Sequence, residues 1–122
     1  MVRYSAKEAI DKLEATGFKL TDSRHYPGMG NISTNIYEKG DVSIDIVYST
    51  EYSNMNSAYA EIFCYFKHEQ IAASVANEIT LHEHFMYNFD FNTIIDTVCG
   101  NKPILNEFNR ISTEKTLEVL ND

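Results

Sequence analysis

The sequence predicts an α+β fold: a single domain, residues 1–122, with an antiparallel sheet of four to five strands. An N-terminal helix and C-terminal helices are expected to pack on that sheet. The middle of the chain alternates apolar and polar residues with the period of two that strands require, whereas both ends carry helical apolar stripes. With 43% apolar and 23% charged residues, the composition is that of a globular rather than a disordered chain.

The N-terminal helix is predicted to run from Ser5 to Thr16. Ser5 and Glu8 have the spacing of a capping box, in which each side chain accepts the other residue's backbone N–H. Gly17 can take the left-handed conformation that ends a helix, which lets Phe18 fold back on the last turn. The stripe expected to be buried consists of Ala6, Ala9, Ile10 and Leu13.

A short strand is predicted at residues 18–20 and an exposed loop at 25–31, followed by a hairpin. We predict a three-residue bulged loop that pairs Tyr37 with Asp41 and places Gly40 in the left-handed conformation. A two-residue loop at Lys39 and Gly40 is the alternative. The bulged register is preferred because it puts apolar residues of both strands on one face, with these pairs: Ile36 with Val42, Thr34 with Ile44, and Ile32 with Ile46.

The segments after the hairpin differ in the periodicity of their apolar residues. Ala58–Lys67 is predicted to be a strand whose core side carries Ala60, Ile62, Cys64 and Phe66. Glu69–Ala76 fits a helical stripe, and Ile79–Phe91 alternates like a strand. A helix continuing through Leu81, Phe85 and Phe89 is the alternative for that last segment.

Three helices are predicted in the C-terminal tail. Asn92 can cap a helix that ends at Gly100, and Pro103 suits the first position of another that runs through Phe108. Ser112 can cap the last helix. Their apolar stripes need a partner, and the sheet is the only large one that the sequence offers.

Charge is concentrated in the middle of the chain. The net charge is −8, and nine acids lie from Asp41 to Asp96, whereas Lys67 is the only lysine or arginine between Gly40 and Asn101. A phosphate backbone would be repelled by such a surface, so direct nucleic-acid binding is not expected.

The sequence also predicts the cellular location of the protein and the state of its two cysteines. No segment is long and apolar enough to span a membrane, and the N-terminus lacks the apolar run of a signal peptide, so we expect a cytoplasmic protein. Cys64 and Cys99 stand in apolar contexts, which favours buried free thiols over a disulfide. No phosphate-loop or nucleophile-elbow pattern occurs, and no cofactor is predicted.

The triplet His82-Glu83-His84 is one candidate site. On a strand the two histidines share a face about 7 Å apart, so both imidazoles could reach one metal ion if His68, Glu69 or His25 completed the ligand set. Two histidines facing solvent are the simpler interpretation. Glu83 falls in the apolar row, where desolvation would raise its pKa and suit a general acid or base, unless it lies at the sheet rim or pairs with a cation.

The other candidate is a face that mixes tyrosines with acids, on the side of the hairpin away from the core. Tyrosine supplies large contact area, and carboxylates complement a basic partner. The alternative is that the C-terminal helices cover these tyrosines. The predicted protein-binding residues are Tyr37, Asp41, Asp45, Tyr59, Glu61 and Tyr65, and Ser43, Val47 and Phe63 share the same rows.

Three functional hypotheses result. The first is a non-enzymatic acidic module that docks on a basic surface of another protein, as inhibitors, immunity proteins and phage-borne antagonists of nucleic-acid enzymes do. The second is a small-ligand or metal-binding accessory protein that uses His82 and His84. The third is a structural subunit whose acidic face keeps it soluble within a larger assembly. Size and charge suggest the first, which is an analogy, and the oligomeric state is not predicted.

Overall fold

The computed structural model describes residues 4–27, 32–49, 60–74 and 89–121. Five strands form one antiparallel sheet in the order β1-β2-β3-β4-β5, so each strand pairs with its neighbour along the chain. The predicted α+β class, with one N-terminal helix and C-terminal helices, is confirmed. In chain order, the elements are α1 (Ala6–Ala15), β1 (Lys19–Tyr26), β2 (Ile32–Lys39), β3 (Val42–Ser49), β4 (Glu61–Phe66), β5 (Glu69–Ser74), α2 (Phe91–Val98) and α3 (Ile104–Asn121).

Helix α1 begins and ends as predicted. The Glu8 N–H donates to Ser5 Oγ at 3.1 Å, and the Ser5 N–H donates to Glu8 Oε1 at 3.2 Å, which completes the capping box. At the other end Gly17 has φ +100°, and the Phe18 N–H donates to the Leu13 carbonyl at 3.0 Å. This is a Schellman motif, and it sends the chain directly into β1. The predicted buried stripe is confirmed: Ala6, Ala9, Ile10 and Leu13.

The β2–β3 hairpin does not have the predicted register. Lys39 pairs with Val42 and Tyr37 with Ile44, so the loop has two residues, Gly40 and Asp41. Gly40 has φ +59° at the first loop position, as a type II′ turn requires. Tyr37 therefore lies three residues further along β3 than predicted. Because three is odd, β2 presents the opposite face, and Tyr37 is in the core.

A lysine contact supports this register. Lys39 lies on the same face of β2 as Tyr37, and its Nζ donates to the Thr16 carbonyl at the C-terminus of α1 at 2.7 Å. The same ammonium lies 5.9 Å from the centroid of the Phe18 ring. A cation at a helix C-terminus binds carbonyls that lack a partner in the helix. The predicted register would have turned Lys39 away from α1 and lost this contact.

Two other predicted elements are corrected. Residues 69–74 form β5 rather than a helix, because a two-residue turn pairs Phe66 with Glu69 and adds the segment to the sheet. The tail holds two helices rather than three, since α3 is continuous through Ser112. Arg110 binds Glu107 at 3.0 Å and Glu114 at 2.7 Å, and these pairs span the predicted break.

The predicted strand Ile79–Phe91 falls mostly outside the described residues. At its end, Phe91 is the first residue of α2, and Asp90 rather than Asn92 is the N-cap. The short strand predicted after Phe18 is longer than expected, since β1 reaches Tyr26 and includes part of the predicted loop. The predicted core side of β4 is confirmed for Ala60, Ile62 and Cys64, which are buried.

All three described helices contribute buried apolar residues to a core on one face of the sheet. The Ile44, Ile46 and Ile62 side chains are fully buried there together with Ile94 and Ile95 of α2. Phe89 and Phe108 pack with ring centroids 5.0 Å apart and connect α3 to this core. We call this side of the sheet the core face and the other side the outer face.

The turn between β4 and β5 has an unusual backbone. Lys67 and His68 have φ +49° and +69°, so both central residues of a two-residue loop are left-handed, as in a type I′ turn. Such turns normally carry Asn-Gly, because a Cβ is unfavourable in this conformation. The Lys67 N–H donates to the Asp41 carbonyl at 2.9 Å, which links this turn to the β2–β3 turn.

We expect His68→Gly to raise the free energy of unfolding by about 1 kcal/mol, because glycine removes the steric cost of φ > 0. Urea denaturation at pH 7 measures the change. Glu69→Gly is the matched control: it is the next residue, it lies in β5, and glycine there should lower stability by about 0.5–1 kcal/mol. Equal destabilisation by both variants would contradict a strained turn.

Candidate functional site

The outer face is the part of the sheet that the described helices leave uncovered. Its side chains follow from the register of the strands, since paired residues point to the same side. It combines aliphatic, aromatic and charged groups. They are Lys19, Asp22, Arg24 and Tyr26 of β1; Ile32, Thr34, Ile36 and Glu38 of β2; Ser43, Asp45 and Val47 of β3; Glu61, Phe63 and Tyr65 of β4; and Gln70 and Ala73 of β5. Ala73 is fully buried, so the open part of this face lies on β1 to β4.

Asp45 lies at the centre of this face. It is paired with Ile36 on one side and Phe63 on the other, so an aliphatic and an aromatic side chain flank its carboxylate. All three side chains are half-buried. Burial raises the pKa of the Asp45 carboxyl above its ordinary value, although the Arg24 cation acts in the opposite direction. Within the described residues, the Asp45 carboxylate has neither a hydrogen bond nor an ion pair.

Tyr65 lies beside Asp45 on β4. It pairs with Ser43 and is half-buried. Burial raises the pKa of the Tyr65 phenol, and the negative charge of Asp45 adds to the shift. The hydroxyl is thus protonated at neutral pH and can donate a hydrogen bond, next to a carboxylate that can only accept. This arrangement suits a partner group that carries both donors and acceptors.

The predicted binding residues divide into three groups. Asp45, Glu61 and Tyr65 lie on the outer face as predicted, and Asp41 is exposed in the adjoining β2–β3 turn. Tyr37 does not belong to this face: it is only 3% exposed on the core face, and burial raises its pKa to about 12. Tyr59 lies outside the described residues.

The flipped β2 strand adds residues that the sequence did not identify. Ile36 and Thr34 occupy the positions that the predicted register gave to Tyr37 and its neighbours. Arg24 of β1 comes close enough to affect Asp45. The glycine at the first position of a possible Gly-x turn, Gly40-Asp41, could have indicated this register, because a type II′ turn places glycine there.

The acids of the central segment do not form one patch. Asp45 and Glu61 share the outer face with Asp22 and Glu38, but Asp96 lies on α2, on the other side of the sheet. Asp96 accepts a hydrogen bond from the Tyr4 hydroxyl at 2.8 Å, so it joins the N-terminus to α2. Among the described residues, the acids of the central segment thus lie on both sides of the sheet.

A cleft of about 380 Å³ between α2 and α3 is a second concave feature. Its charged groups neutralise one another, since Glu107 contacts Lys102 at 3.5 Å and Arg110 at 3.0 Å. These cations lower the pKa of the Glu107 carboxyl. The lining residues are Thr93, Asp96, Thr97, Gly100, Asn101, Lys102, Glu107, Arg110 and Ile111.

The two cysteines are free thiols, as predicted. Cys64 is buried in the core, and burial raises its pKa to about 12, which makes it unreactive. Cys99 is half-buried and lies 3.5 Å from the Thr16 hydroxyl. The triplet His82, Glu83 and His84 falls outside the described residues, so the metal or ligand site stays a prediction. Residues 4–27, 32–49, 60–74 and 89–121 contain no group of three potential metal ligands.

Comparison with known proteins finds no matching family model, curated protein or solved structure. Among the described helices, none combines the length and apolar character needed to cross a bilayer. The function proposed below is therefore based on the chemistry of the outer face.

We expect Asp45→Asn to stabilise the protein at pH 7 by a few tenths to about 1 kcal/mol. A raised pKa means that the native state binds more protons than the unfolded chain, so the ionised carboxylate costs stability as the pH rises above its ordinary value of 3.8. Asparagine removes that cost, and the gain should vanish near pH 3, where Asp45 is protonated in both states.

Urea denaturation at pH 7 and pH 3 measures this difference. Glu14→Gln is the control, because it removes one negative charge from an exposed position on α1, on the core side of the sheet. The interpretation fails if Asp45→Asn destabilises the protein at pH 7, or if both variants give the same gain.

Proposed function

We propose that this chain is a non-enzymatic protein-binding module whose outer face docks on a basic surface of another protein. The observation that carries the proposal is the half-buried Asp45 carboxylate at the centre of the outer face, which the described helices do not cover. Apolar side chains alone would be ordinary on such a face, since antiparallel sheets tolerate them at the surface. A carboxylate flanked by Ile36 and Phe63 has instead lost part of its hydration without gaining a partner among the described residues.

An arginine or lysine from a partner would supply what Asp45 lacks. The cation would form a charge-assisted hydrogen bond with the carboxylate, and a guanidinium could also stack on the adjacent Phe63 ring. Tyr65 can donate a further hydrogen bond from its hydroxyl. Aromatic side chains and arginine are the residues in which binding energy concentrates at protein interfaces.

The area of the outer face suits a small interface. Strands β1 to β4, about 4.8 Å apart and about six residues long, cover roughly 19 by 20 Å, or on the order of 400 Å². A standard interface buries about 800 Å² on each partner. The affinity must therefore come from a few well-placed contacts around Asp45, with the exposed Asp41 turn extending the contact area.

Electrostatic attraction supports a basic partner in a second way. The net charge of −8 creates a field that attracts positively charged proteins from a distance and speeds their encounter. The same field disfavours binding to a phosphate backbone. Among basic proteins, nucleic-acid enzymes are a natural target class, and the proposed module would act on them as an inhibitor, immunity protein or antagonist.

We expect affinity capture from the native cell to recover a basic partner with the wild-type protein and to lose it with Asp45→Lys. Glu14→Lys is the matched control, because it makes the same change of charge at an exposed position of α1, on the core side of the sheet. Circular dichroism verifies that both variants fold. A partner retained equally by both variants would bind elsewhere, which contradicts the proposal.

With the purified partner, we expect the association rate constant to fall at least about tenfold between low and high salt, because screening shortens the range of attraction. Stopped-flow measurements over a range of ionic strengths give this value. A rate constant that does not change with salt would rule out recognition by charge.

A further inference from the structure

Strand β1 forms an open edge of the sheet. Seven of its eight residues are exposed, and within the described residues it pairs only with β2. At the opposite edge, the Ala73 carbonyl of β5 accepts from the Phe89 N–H at 3.1 Å, so that edge is partly occupied. An edge strand presents unpaired backbone donors and acceptors, which can pair with another strand.

The charges on β1 have a specific arrangement. Asp22 and Arg24 lie two residues apart and point to the same side, with Arg24 Nε 2.8 Å from Asp22 Oδ2. The other oxygen of Asp22 accepts from the Ser23 N–H at 2.8 Å. The register shift between Leu20 and Asp22 limits regular strand geometry to the second half of β1, which contains this charged pair.

This half of β1 is complementary to itself. We propose that β1 pairs antiparallel with β1 of a second copy of the chain, about a two-fold axis that passes through Ser23. Asp22 of each copy then lies opposite Arg24 of the other, which gives two cross-strand pairs of opposite charge. Ser23 lies opposite itself, so no charged group is placed on the axis, and the Ser23 N–H exchanges its Asp22 acceptor for the Ser23 carbonyl of the second copy.

The alternative registers are unfavourable. Moving the axis by one residue toward Asp22 sets Asp22 opposite Asp22, and moving it by one residue toward Arg24 sets Arg24 opposite Arg24. Like charges directly opposite one another destabilise a strand pair. Of these three registers, the charges favour the one centred on Ser23, and they favour a second copy over an unrelated strand, which would have to carry the same pattern in reverse.

Such a dimer would have a definite geometry. A two-fold axis between antiparallel edge strands is perpendicular to the sheet, so two five-stranded sheets join into one. Both outer faces then lie on the same side. The dimer does not depend on the function proposed above, but it would double the area available to a partner.

Light scattering over a range of concentrations tests the pairing. The wild type should reach twice the mass of the 14.0-kDa chain. Asp22→Arg and Arg24→Asp each replace two attractive pairs by two repulsive ones, and either should raise the dissociation constant about tenfold or more. The double variant Asp22→Arg with Arg24→Asp restores opposite charges and should restore the dimer. A monomer at all concentrations, or a dimer that the single variants do not weaken, would overturn the proposal.

Disulfide trapping tests the position of the axis. In a Cys99→Ser background, Ser23→Cys should cross-link two copies under mild oxidation, because directly opposed residues have Cα atoms about 4.5–5.5 Å apart. Thr21→Cys is the matched control on the same strand: its two copies would lie about 13 Å apart and should not cross-link. Equal cross-linking of the two variants would mean random collision and overturn the register.

Discussion

The register of β2, which the contact between Lys39 and the C-terminus of α1 supports, determines which residues of this strand lie on each face of the sheet. Gly17 ends the helix in a Schellman motif, and the Thr16 carbonyl then accepts from Lys39 Nζ at 2.7 Å. Because strand side chains alternate, a lysine held on the core face also holds Tyr37 there. Ile36 is consequently turned to the outer face, next to Asp45. The register of this one strand thus affects the composition of both faces of the sheet.

The sequence correctly predicted those elements that are stabilised by residues close together in the chain. The capping box of Ser5 and Glu8 and the glycine stop at Gly17 involve residues close together in the chain, so their chemistry can be read from the sequence. The core faces of β3 and β4 were also predicted, since every second residue of each strand is apolar. A single amphipathic helix and two central strands leave little freedom once their apolar sides must be buried.

The remaining elements depend on contacts between distant residues. The β2 register agrees with the Gly40-Asp41 turn and with the contact from Lys39 to Thr16, and the second of these joins residues that are distant in the chain. Residues 69–74 have a helical apolar pattern, but the turn at Lys67 and His68 pairs them with β4, so tertiary contacts override the local preference. The continuity of α3 follows from Arg110, whose two ion pairs bridge the point at which Ser112 could have begun a new helix.

The candidate site likewise contains residues whose positions could be predicted from the sequence and one whose position could not. Asp45, Glu61 and Tyr65 were predicted from strand alternation, whereas Tyr37 was misplaced with its strand. The central position of Asp45 could not be predicted, because it arises from Ile36 and Phe63 on two different neighbours. Only the assembled sheet shows that the carboxylate has lost hydration.

In the proposed complex, desolvation at Asp45 would connect stability with binding. A half-buried carboxylate lowers the stability of the isolated domain, because ionisation is less favourable there than in water. In a complex, a cation at the same position would reverse the sign of that contribution, since a nearby positive charge favours the ionised form. The free energy lost in the free protein would then be recovered only with a partner of the correct charge. An uncharged residue at this position would give a more stable sheet but would remove the discrimination between basic partners and others.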